Sequence, residues 1–101
     1  MFTLEAITNE LYEAIENYNN LLEKVEIAKA IADNLWKRVE SLENLSGGYE
    51  FNDWVYNRKI DDAYRAYDEA TEEYNTLYEA FENEEKRIEA LRKLRRCYKN
   101  K

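Results

Sequence analysis

Leu4, Ile7, Leu11, Ala14, Tyr18, Leu21, Val25, Ala28, Ala32, Leu35, Val39 and Leu42 follow one another in alternating steps of three and four. This is an apolar heptad seam, and neither proline nor glycine interrupts it. The only glycines, Gly47 and Gly48, come next. A second seam follows them: Tyr56, Ile60, Ala63, Tyr67, Ala70, Tyr74, Leu77, Phe81, Glu84, Ile88 and Leu91. Two seams joined by a short glycine-bearing link predict an all-α antiparallel coiled-coil hairpin. Parallel pairing would need a long crossover, which the link is too short to supply.

The spacing predicts one domain over residues 1–101, with a first helix over about 4–43, a loop over about 44–52 and a second helix over about 53–98. Thr3 is placed to cap the first helix, with Glu5 in its first turn and Phe2 and Ile7 at the two staple positions. Ser46-Gly47-Gly48 supplies the stop, and Asn52 or Asp53 the next cap. A pairing symmetric about the two glycines sets Ala14 against Phe81, Ala28 against Tyr67, Leu21 against Tyr74 and Ile7 against Ile88. Large then opposes small across the core. One layer departs from a dry core, because Glu84 faces Leu11. That carboxylate has three readings: reaching solvent, pairing with a base such as Arg87, or fixing the register of an assembly.

Two helices sharing one seam bury little surface, and several large apolar residues lie outside it. Ile15, Leu22 and Trp36 fall at e positions of the first seam. Tyr64 and Tyr78 hold e positions of the second, Trp54 stands at its start, and Ile27 and Ile31 lie on other flanks. A second apolar stripe on a charged helix marks an interface. The expectation is a homodimer closing a four-helix bundle, with Ile15, Leu22, Ile31, Trp36, Trp54, Tyr64 and Tyr78 as partner-binding residues.

Charge is strongly divided. The chain holds 22 acidic and 15 basic residues, yet residues 86–101 hold eight basic residues and one acidic one. The first 85 residues are therefore heavily acidic. An acidic body disfavours direct nucleic-acid binding and suits a basic protein partner. The candidate acidic face is Glu13, Glu16, Glu23 and Glu26 on the first helix, with Asp68, Glu69, Glu72 and Glu73 on the second. Lys86, Arg87, Arg92 and Lys93 come alongside Glu5, Glu10 and Glu13 in the hairpin. Arg95, Arg96, Lys99 and Lys101 are expected to overhang it.

Chemistry-bearing patterns are few. The chain has no histidine and a single cysteine, Cys97, so a disulfide framework, a zinc site and a Cys-His nucleophile are all unsupported. No glycine-rich phosphate loop occurs. The expectation is a protein that is not an enzyme and takes no metal or cofactor. One cluster mixes aromatics with bases, and Arg58, Lys59 and Arg65 are its candidate ligands for a small nucleotide-type anion, as in an oligomeric sponge. No signal peptide or membrane span is legible, and the AT-rich residue usage suits a low-GC bacterium or its phage. The expected location is the cytoplasm of a bacterial or phage-infected cell.

In size and hairpin layout the whole chain resembles the WXG100 proteins, dimerising helical hairpins exported by type VII systems. That resemblance implies export. Tyr78 with Glu82, or Tyr64 with Asp68, matches the family's Tyr-x-x-x-Asp/Glu signal, although within the second helix. The Trp-x-Gly turn is absent, since Ser46-Gly47-Gly48 has no tryptophan. As a small acidic helical chain it is also similar to phage inhibitors of host defence or host enzymes, some of which mimic nucleic acid. That likeness implies an inhibitor or adaptor engaging a basic protein surface; a purely structural bundle is the remaining alternative.

Overall fold

The computed structural model describes residues 3–100 except 46–53, and describes no side chains for Leu45, Trp54, Val55 and Tyr56. Its helices are α1, Leu4–Leu45, and α2, Trp54–Lys99, and they pack against each other as a hairpin. Thr3 caps α1 as its sequence position implies: the Ala6 backbone N–H donates to Thr3 Oγ1 at 3.1 Å. Phe2, the Ser46-Gly47-Gly48 stop and the Asn52 or Asp53 cap lie outside the described residues. Each helix extends slightly beyond its expected end.

Every described residue of both seams except Leu4 is buried or half-buried. Ile7, Leu11, Ala14, Val25, Ala28, Ala32, Val39, Ala63 and Ile88 form the core. Burying each valine, leucine or isoleucine among them stabilises by roughly 1.5–3 kcal/mol and each alanine by less, so the seams are the main source of cohesion.

Contacts divide the chain into two compact units. One combines Met1–Val25 with Thr76–Lys101 and the other is Glu26–Asn75. In the first, Leu11, Ala14 and Ile88 cluster, with Ile15, Tyr18 and Leu91 packed against them. Tyr18 stacks on Phe81 at 4.6 Å between ring centroids. In the second, Trp36 packs against Tyr67 at 5.0 Å and meets Tyr64 edge-on at 6.4 Å.

These contacts correct the expected register. Pairing symmetric about the glycines sets Phe81 against Ala14 and Ile88 against Ile7. The observed neighbours, Tyr18 for Phe81 and Leu11 with Ala14 for Ile88, lie one or two seam steps further along α1. Aromatic stacking outweighs the large-against-small rule here. The step also brings one more turn of α2 beside the start of α1. Leu94, Arg95 and Tyr98 are accordingly half-buried rather than overhanging.

Candidate interaction surfaces

In the unit formed by the chain's two ends, Glu84 is the one acid of the seam. Its side chain is only 16% exposed. Arg87, one turn on, donates from Nη1 to Glu84 Oε1 at 3.1 Å and from Nη2 to Glu10 Oε2 at 3.3 Å. One guanidinium thus clips α2 to α1. The two carboxylates, Glu84 first, hold the Arg87 pKa above its ordinary value. Glu84 Oε2 is buried and has no hydrogen-bond partner. Pairing with Arg87, one of the three readings of Glu84, is what the geometry shows.

Beside this clip, Ile15, Tyr18, Asn19, Glu85, Ile88 and Arg92 help to line a depression of about 330 Å³. Leu22 and Tyr78, at 37% and 41%, are exposed in the same unit, whereas Ile15 is half-buried. Tyr78 leans on Phe81, with centroids 6.1 Å apart. Glu13, Glu16 and Glu23 are exposed.

In the central unit, Trp36 and Tyr64 occupy facing e positions, and this explains their contact across the hairpin. The Tyr64 hydroxyl donates to Glu43 Oε1. That bond is the first cause of a Tyr64 pKa above the usual tyrosine range. Trp36 remains 39% exposed. Ile27 and Ile31, one helical turn apart, are 54% and 49% exposed. Glu26, Asp68, Glu69, Glu72 and Glu73 are exposed as well.

Arg58, Lys59 and Arg65 are also exposed. Lys59 lines a small depression with Leu35, Arg38 and Asp62, on the flank away from Tyr64. Arg58 and Arg65 are seven residues apart on the face opposite the seam. By their helical positions Arg58 and Arg65 lie on a different face of α2 from Tyr64 and Tyr67. The Trp54 side chain lies outside the described residues.

One feature escaped the sequence reading. Tyr12, 62% exposed, sits on the outer face of α1 and was hidden among the other tyrosines. Of the basic residues expected to overhang the hairpin, Arg95, Arg96 and Lys99 line a groove together with Arg92. Among the described residues no group of three His, Cys, Asp or Glu side chains is placed to hold a metal ion. No helix of the described residues is long and apolar enough to cross a membrane. Compared with protein-family models, curated proteins and solved structures, the chain matches none of them.

Proposed function

We propose that the chain is a non-catalytic protein-binding module, an inhibitor or adaptor that engages a basic protein surface with its acidic faces. The observation that carries this reading is the exposure of every member of the acidic set. Glu13, Glu16, Glu23, Glu26, Asp68, Glu69, Glu72 and Glu73 all face solvent. Glu69 and Glu73 are like charges four residues apart, which destabilises an isolated helix. A cationic partner relieves that repulsion on binding. Such complementarity chiefly raises the rate of encounter and selects the partner, with nearby apolar side chains adding affinity.

The exposed apolar residues fit a second role, self-association into a four-helix bundle. Leu22, Ile27, Ile31, Trp36 and Tyr78 are large and exposed on a helix surface otherwise rich in charge. Covering them with a second copy removes apolar area from water.

The test is affinity capture from a bacterial lysate. The comparison variant combines Asp68→Asn, Glu69→Gln, Glu72→Gln and Glu73→Gln, with helicity checked by circular dichroism. The expected result is a protein partner that the parent chain retains, the folded variant loses, and about 0.5 M salt releases. Retention that survives both neutralisation and high salt overturns the acidic-face reading.

A further inference from the structure

Residues 86–101 carry eight of the chain's 15 cationic side chains and one carboxylate, Glu89. Arg92, Arg95, Arg96 and Lys99 recur at spacings of three and four, so they share one face of α2. Together they line a surface depression of about 380 Å³. At roughly 1.5 Å rise per residue, the outermost two stand about 10 Å apart along the helix.

Among the described residues of this stretch, Arg87 is tied to the carboxylates of Glu84 and Glu10. Arg92, Arg95, Arg96 and Lys99 make no ion pair there. Arg95 is half-buried, and its Nε is shielded from water without an acceptor. A buried donor left unpaired is costly, and it adds to the uncompensated polarity of this face.

We infer that this face binds the polyphosphate group of a compact ligand, a di- or triphosphate. Three guanidinium forks and one ammonium suit an array of phosphate oxygens, each fork gripping two. Compactness follows from the rest of the charge. A long nucleic-acid strand leaving the groove runs into the field of an acidic chain. A small anion stays within a Debye length, about 8 Å at physiological salt, of the cations. Glu85 and Glu89, which line the neighbouring depression with Arg92, set an acidic rim on that side. The proposed site uses none of the residues assigned to the acidic faces and stands independently of the proposed function.

The test is isothermal titration of the full chain with sodium tripolyphosphate at low ionic strength, about 0.01 M. Expected is one tripolyphosphate per chain. Binding should weaken about tenfold in Arg95→Gln or in Arg96→Gln. It should vanish when both are combined with Lys99→Gln, with helicity unchanged by circular dichroism. A nucleoside triphosphate tells the sources apart. Equal affinity means that the phosphates alone are read, and higher affinity means that the nucleoside adds contacts. Absence of heat with tripolyphosphate overturns the inference, as does undiminished binding by the triple variant. Tighter binding of a single-stranded DNA than of tripolyphosphate overturns it too. So does salt-sensitive self-association, lost in the triple variant, that blocks tripolyphosphate, because the occupant is then a second copy's acidic face.

Discussion

The ring of Tyr18 on α1 stacks on the ring of Phe81 on α2, with centroids 4.6 Å apart and planes inclined by 28°. This pair fixes which turn of one helix meets which turn of the other. A slip of one seam step separates the rings and sets Phe81 against Ala14. Aromatic pairs of this geometry contribute about 0.5–1.5 kcal/mol beyond their burial. A double-mutant cycle with Tyr18→Leu and Phe81→Leu, followed by urea denaturation, should therefore give a coupling energy in that range. A coupling near zero would restore the register centred on the glycines.

The seams show how far the sequence carries the fold. A strict three-four alternation determines which face of a helix is buried, and every described seam residue except Leu4 is at least half-buried. Alternation is periodic, however, so a shift by one seam step still sets apolar residues against apolar residues. Pairing energies such as that of Tyr18 with Phe81 break the tie, and they depend on ring orientation, which spacing does not encode. The same limit applies to function. Spacing showed that Ile31 and Trp36 lie off the seam and that Asp68 and Glu72 share a face. What covers those faces depends on a partner whose sequence is not this one.

Glu84 and Arg87 should respond unequally to substitution. Arg87→Ala leaves the mostly buried Glu84 carboxylate with neither oxygen paired and removes the bond to Glu10. A loss of about 1–2 kcal/mol is expected, reduced from the fully buried case because Arg87 is partly exposed. Glu84→Leu removes the charge that needed a partner, fills the seam and leaves Arg87 to Glu10. Stability should be unchanged or raised by about 1 kcal/mol. Chemical denaturation of the two single variants checks the order. If Glu84→Leu proves the more damaging, the carboxylate is needed for the packing of this layer.

The bond between Tyr64 and Glu43 has a pH signature. Because Glu43 holds the Tyr64 pKa above its unfolded value, the protonated phenol is favoured in the folded chain. The stabilisation is complete below the unfolded tyrosine value, about pH 10, and is lost as pH rises through the folded value. Absorbance titration of the parent chain minus that of Tyr64→Phe isolates this phenol. Its midpoint should lie above the ordinary tyrosine value and return toward it in Glu43→Gln. A midpoint unaffected by Glu43→Gln would mean that the carboxylate does not hold the phenol in solution.

Ile27 and Ile31 separate folding from association. Both are about half exposed, so changing them to lysine removes little that the hairpin itself has buried. Surface substitutions of this kind usually alter stability by within about 0.5 kcal/mol. If a second copy covers this part of α1, the same changes place two charges in an apolar interface, where an unpaired charge is strongly disfavoured. Sedimentation velocity should then show an oligomer for the parent chain and a monomer for Ile27→Lys/Ile31→Lys, with helicity preserved at low temperature. Raising the salt concentration should leave the parent oligomer intact, because apolar burial drives it and screening does not weaken it. An oligomer that survives the double substitution excludes this face from the interface and moves the search to Leu22 and Tyr78. A parent chain that is monomeric at every concentration shows instead that the exposed isoleucines are not covered by a second copy.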